Sequence, residues 1–201
     1  MLYQQELQSI YEKNHGIQFE FITDTQGERI YFKNVAYNSL SISNVAPPAY
    51  DENKIEIQQT KLSCITIKKE YYPYFLLLSI GKFYLSKWFV YGDDFDLTRK
   101  DIMSFSFPFN KINKEDCETL RILYQQVLQK LPSTIQYKLN AKKYVGTFNT
   151  RKLWNITDKS DLIFLKYISD NPVEIQQKIE NHISACVVTN KGLYGDELND
   201  D

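Results

Sequence analysis

Glycine, proline, cysteine and histidine are all scarce in this chain: seven, six, three and two among 201 residues. So few glycines and prolines leave little room for low-complexity or disordered sequence, apart from the acidic end DELNDD at 196–201. The cysteines Cys64, Cys117 and Cys186 lie far apart, with no metal-ligand spacing. Their odd number points to reduced thiols in the core of a cytoplasmic protein rather than to a disulfide framework. His15 and His182 have no nucleophile or second ligand beside them, and neither a Ser/His/Asp pattern nor a glycine-rich phosphate loop is present. Long apolar runs are missing too. The longest, Phe75–Ile80, is about a third of a membrane span. The opening MLYQQELQSIYEK is polar and amphipathic, unlike a signal peptide. The expectation is therefore a cytoplasmic protein with no membrane partner. Charge of one sign is also lacking: 24 Lys and Arg face 25 Asp and Glu, for a net charge of −1 and a pI of about 6.2. A free-standing nucleic-acid binder normally carries a basic excess, so such a role would call for a partner that shares the phosphate contacts.

What the chain has in abundance is aromatic side chains, 15 Tyr and 12 Phe, which suit strands and recognition surfaces. Alternation predicts strands over 17–22, 29–33 and 38–45, with turn residues at 24–27 and a stop at Pro47-Pro48. Two more short strands are expected over 54–60 and 62–68. A long helix should start near Pro73 and end at Gly92, burying Leu76, Leu77, Ile80, Phe83, Tyr84, Lys87 and Trp88 on one face. Residues 97–109 read as extended. Asn113 then caps a helix with Asp116 at its third position and a stripe of Leu120, Ile122, Leu123, Val127 and Leu131. Ser133 is expected to cap a helix to Lys143, 146–150 to be a loop, Thr157 to cap a third helix and Asn171-Pro172 to open a fourth. The fold class is thus α+β: a small twisted, mainly antiparallel sheet with one long helix over 1–110, a helical subdomain over 111–190 and an acidic tail over 191–201.

The chemistry-bearing candidates are few. Ala46-Pro47-Pro48-Ala49 has prolines but lacks the amide and aromatic that would grip a target amine, and reads as a turn. Asp93–Asp96 is an acidic turn more readily solvated than metal-filled. Asp51, Glu56 and Gln58 lack the lysine and spacing of a nuclease motif. No catalytic or metal-ligating residue is therefore assigned. Two basic elements carry more weight. Lys87, Tyr91, Thr98, Arg99 and Lys100 cluster where the long helix ends, with cations and hydroxyls suited to phosphates and base edges. Lys142, Lys143, Thr147, Asn149, Arg151 and Lys152 form a second group around Gly146, a candidate phosphate clamp. The competing reading makes Trp88 and Phe89 core, the first cluster a solvated rim and the second a polar connector.

The segments FLLLSIGKFYLSKWFVYGDDFDLTRKDIMSFSFPF (75–109) and YVGTFNTRKLWNITDKSDLIFL (144–165) resemble the target-recognition region of type II restriction–modification adenine-specific DNA methyltransferases. The resemblance spans about residues 30–190. It implies a DNA sequence-recognition module docking on double-stranded DNA while a methyltransferase domain or subunit takes the flipped adenine. This chain has no strand–glycine-loop–helix unit for S-adenosylmethionine, so the resemblance puts that cofactor on the partner and leaves this chain without an enzyme activity of its own. The alternative is a protein–protein adaptor that docks through an aromatic surface.

Overall fold

The computed structural model describes residues 2–15, 21–23, 26–36, 39–93 and 95–194. It is an α+β fold built on antiparallel sheets, as composition and alternation indicated. Helix α1 (Leu2–Lys13) leads to strand β1 (Gly27–Lys33), followed by the short strands β2 (Ile42–Ser43), β3 (Ala49–Tyr50) and β4 (Glu56–Ile57) and by β5 (Leu62–Lys68). Helices α2 (Tyr72–Ile80), α3 (Lys82–Tyr91), α4 (Arg99–Met103) and α5 (Lys114–Lys130) come next. Strands β6 (Ile135–Asn140) and β7 (Lys143–Phe148) then precede α6 (Trp154–Leu165) and α7 (Pro172–Tyr194).

Two separate sheets form. One has the order β2-β1-β5 and the other β4-β3-β7-β6. In the first, β1 and β5 pair along their full length, Gly27 opposite Lys68 and Lys33 opposite Leu62. Both strands bury alternate residues, Ile30 and Phe32 on one and Ile65 and Ile67 on the other, the period-two pattern of a sheet with a single wet face. The buried residues form one cluster running from Leu7 to Ile183, so no break in the core falls at residue 110.

Several expected elements change form. The single helix over 73–92 is two, because Gly81 is extended (φ −80°, ψ 165°) and serves as C-cap of α2 and N-cap of α3. A methyl group at Gly81 would sit 2.3 Å from Asp161 Oδ1, so only glycine admits the carboxyl that receives Phe83 N–H at 3.1 Å. Residues 99–103 are helical rather than extended. Thr98 and Asp101 cap each other reciprocally, Asp101 N–H to Thr98 Oγ1 and Thr98 N–H to Asp101 Oδ2, a pattern that starts a helix. Asn113 caps α5 as expected, its Oδ1 receiving Asp116 N–H at 2.8 Å, but Ile122 points to solvent at 60% exposure. Thr157 lies fully buried inside α6, which starts three residues earlier at Trp154. Helix α7 opens at Pro172 as expected and continues to Tyr194. Of the three thiols, Cys64 is exposed and the other two half-buried, which corrects the expectation of core cysteines. No helix among the described residues is long and apolar enough to cross a membrane. The strand expected over 17–22 and the turn at 24–27 lie partly outside the described residues, as do residue 38 of the strand expected over 38–45, residue 94 of the acidic turn and residues 195–201 of the tail.

The largest correction is the β6–β7 hairpin, which occupies residues expected as helix and loop within a helical subdomain. Its two-residue turn, Ala141-Lys142, joins the pair Asn140–Lys143, and both turn residues have positive φ, 47° and 66°. That is the backbone of a type I′ turn, which favours Asn-Gly because other residues crowd their own carbonyl there. Replacing Ala141-Lys142 by Asn-Gly should stabilise the protein by about 1 kcal/mol, read as a higher midpoint in urea. No change or a lower midpoint would mean the turn is not held in this conformation.

Candidate nucleic-acid interface

Strand alternation gives the second sheet two unlike faces. On one, Gln136, Lys138 and Asn140 of β6 stand opposite Thr147, Val145 and Lys143 of β7. Ala49 of β3 pairs with Val145 and with Ile57 of β4, continuing that face across the sheet. These residues form one wall of a cleft of about 420 Å³. The other wall comes from the end of β1 and the segment after it, with Lys33, Val35, Ala36 and Ser41, and from Lys61 at the start of β5. Lys33 joins the two walls, since its Nζ donates to Thr147 Oγ1 at 2.7 Å.

Close backbone approach holds the cleft together. Gly146 N–H donates to Pro48 O at 2.9 Å, and a Cβ at position 146 would lie 2.3 Å from that oxygen. Gln59 then ties three segments together, its Nε2 donating to Pro47 O at 2.7 Å and to Gly146 O at 3.1 Å. The Pro47-Pro48 turn thus supplies carbonyl acceptors to the sheet. Gly146→Ala should force β3 and β7 apart and destabilise the fold by about 2 kcal/mol or more. Thermal unfolding that matches the unmodified protein would contradict that packing.

Charge distinguishes this cleft from the rest of the molecule. Lys33, Lys61, Lys138, Lys143 and Arg151 line it, and among the described residues no Asp or Glu does. In a chain of net charge −1 this is a local concentration of one sign, and a concave surface focuses such a field. Burial and the neighbouring Lys138 charge hold the Lys33 pKa below the usual lysine value. Arg151 keeps its guanidinium 5.2 Å from the centre of the Trp154 ring, held against an aromatic face. Asn149 Oδ1 receives Arg151 N–H at 3.2 Å and so begins the helical turn that carries Arg151.

The second basic group read from the sequence is therefore divided. Lys143, Thr147, Asn149 and Arg151 line the cleft. Lys142 instead lies at the hairpin tip, 3.3 Å from Glu52 with both side chains well exposed, and Lys152 is exposed outside the lining. Lys33, Lys61 and the amides Gln59 and Gln136 join the site without having been singled out, as does Gln58, considered only for a nuclease motif. The available signal was the polar alternation Gln136, Lys138 and Asn140, which a helical reading of 133–143 hides.

The first group needs a correction. Lys87 does not face solvent: it is 2% exposed, donates to Ser104 O at 3.0 Å and Ser104 Oγ at 3.1 Å, and lies over the rings of Tyr91 and Phe105. Burial lowers its pKa to about 8. It sits four residues after Phe83 on the buried face of α3, so it pins the 104–105 segment and cannot reach a ligand. Tyr91 is 37% exposed and stacks on His15 with ring centres 4.5 Å apart. Thr98, Arg99 and Lys100 are exposed, although the Thr98 hydroxyl is engaged with Asp101.

This junction adjoins the cleft. Ala36 N–H donates to Phe95 O at 2.8 Å and Leu97 N–H to Asn34 O at 2.7 Å. Residues 95–97, which lead directly into Thr98–Lys100, thereby run along the cleft wall formed by Val35 and Ala36.

The opposite face of the sheet is apolar and open. Tyr137, Leu139 and Tyr144 are 45%, 66% and 43% exposed, and Tyr50 lies against Tyr137 at 6.0 Å between ring centres. Comparison with protein-family models, with curated proteins and with solved structures returned no match.

Proposed function

We propose that this chain is a DNA-recognition module that holds a nucleic-acid strand in the cleft between its two sheets. The observation that carries the reading is a concave surface lined by five cations and, among the described residues, no carboxylate. Phosphates supply the matching charge, and the Asn and Gln amides alongside have the donor and acceptor pairs that read base edges. Arg99 and Lys100 extend the basic surface from the adjoining junction, and Thr98 serves as the cap of their helix. The methyltransferase that would use the bound DNA, with its S-adenosylmethionine, is a separate domain or subunit in this reading, and the type II restriction–modification resemblance supports that assignment.

Salt dependence tests the reading. Affinity for a short DNA duplex should fall steeply as salt rises, with a log–log slope of about −0.9 for each phosphate neutralised. A flat response, or no binding at low salt, would remove DNA as the ligand. Reversing Arg99 and Lys100 together to Glu should weaken binding, but less than reversal inside the cleft, since both are exposed in the first turn of α4, outside the cleft lining.

A second reading has an observation of its own. The Tyr50–Tyr137–Leu139–Tyr144 face suits protein docking, because exposed aromatic and aliphatic area of this kind is enriched at interface centres. Binding through that face would be almost insensitive to salt.

A further inference from the structure

Strand β1 runs through the middle of the first sheet, and the face it turns away from the core has a character of its own. Arg29, Tyr31 and Lys33 alternate with the buried Ile30 and Phe32, and Cys64, Thr66 and Lys68 do the same on β5 against Ile65 and Ile67. Three cations therefore stand on this face. Glu28, the one acidic residue in either strand, belongs to the opposite set. Among the described residues, neither Arg29 nor Lys68 forms an ion pair. Tyr31 has small residues directly across on both sides, Ser43 of β2 and Cys64 of β5, so no bulky cross-strand neighbour covers its ring. The surface continues from the cleft, because Lys33 ends β1 on this face and also lines the cleft. At a rise of about 3.3 Å per residue, Arg29 lies roughly 13 Å further along.

We infer that this face is a platform for single-stranded DNA leaving the cleft, with a base stacked on Tyr31 and phosphates met by Arg29 and Lys68 beyond it. Stacking on a side chain needs an unpaired base, since a duplex keeps the faces of its bases inside the helix. Cations spaced along the face match a phosphate backbone, and no carboxylate on the two strands' outer positions opposes it. A protein partner would instead favour the apolar face of the second sheet. The inference deepens the proposed function, and rests on it in taking its strand from the cleft.

The test uses the full chain and two labelled ligands at fixed salt: a single strand of about twelve nucleotides without self-complementary stretches, and the duplex of the same length and sequence. The single strand should bind about tenfold more tightly. Tyr31→Ala should remove that preference and leave duplex affinity as it was, whereas Tyr31→Phe, which keeps the ring, should retain it. Arg29→Glu is an independent variant at an exposed position. It should make the single-strand salt slope shallower by about 0.7 and leave the duplex slope alone. Thermal midpoints of the three variants check that each is folded. Equal affinity for the two ligands, a preference that survives Tyr31→Ala, or one lost in Tyr31→Phe would overturn the platform. So would a single-strand slope that Arg29→Glu does not change. The two ideas fail separately. Salt-sensitive duplex binding that needs Lys143 and Arg151 but shows no single-strand preference sinks only the platform. A Tyr31-dependent preference that persists at full strength after Lys143 and Arg151 are reversed to Glu sinks only the cleft.

Discussion

Replacing Lys143 and Arg151 together by Glu should weaken DNA binding by about a hundredfold or more near physiological salt and make the log–log salt slope shallower by about two. Each lost phosphate contact removes close to one unit of slope, and each introduced carboxylate adds repulsion within a concave, field-focusing surface. The two residues suit the test because neither is part of the core: Lys143 is exposed at the start of β7, and Arg151 is held by its contact with Trp154. Arg151→Glu gives up that cation–aromatic contact, which costs about 1 kcal/mol or less of stability, too little to mimic the binding loss by unfolding. A double variant with unchanged affinity would show that DNA does not use the cleft. Affinity lost with an unchanged salt slope would mean that the pair acts through structure, not through phosphates. The aromatic face supplies the internal contrast, since Tyr137→Ser with Leu139→Ser should leave DNA affinity as it was and impair only a protein partner's binding.

What was legible in the sequence was local. The strand at Leu62–Lys68 follows from Ile65 and Ile67 alternating with Thr66 and Lys68, and the start of α5 from Asn113 with Asp116, because a cap is satisfied within four residues. The hairpin over 135–148 was hidden for the opposite reason. Pro132-Ser133 looks like a helix start, and the turn carries Ala141-Lys142 where Asn or Gly would have announced it. Lys87 was half legible. Its spacing puts it on the apolar face of α3, but nothing local says that the carbonyl and hydroxyl of Ser104, 17 residues on, receive its ammonium. The cleft lay beyond the reach of the sequence as a whole, since Lys33 and Lys61 come from β1 and the turn before β5, and Lys138 and Thr147 from the hairpin that was missed. The basic run at 142–152 pointed to the right neighbourhood, and only β7 alternation decides which of its members face inward.

The second large effect is on stability, and it runs with pH. Asp161 is fully buried in α6, and burial, with the nearby Asp158 charge in support, raises its pKa from 3.8 to about 8, against the hydrogen bonds from Phe83 and Lys82 N–H. Only Oδ2 has a partner. Oδ1 is buried without one. Because the folded-state pKa lies above the unfolded one, the unfolded chain releases this proton first as pH rises. The contribution of Asp161 is fully present below about pH 4 and declines by about 1.4 kcal/mol per unit until the folded pKa near 8 is passed. Lys87 acts over the adjoining window with the opposite sign. Its folded pKa near 8 lies below the ordinary 10.5, so stability rises with pH between those values. His15 and His182, both held below the usual histidine value by burial, also favour the folded state as pH rises, but below about 6.5. The informative quantity is therefore the difference between the protein and its Asp161→Asn variant, in which these other groups cancel. An Asn carbonyl can still accept from Phe83 N–H and cap α3, but it cannot ionise. Urea unfolding at pH 5, 7 and 9 should show the variant gaining on the unmodified protein by several kcal/mol across that range. A difference that stays constant with pH would mean that Asp161 ionises normally and that the carboxyl wedged against Gly81 is more hydrated than this packing allows.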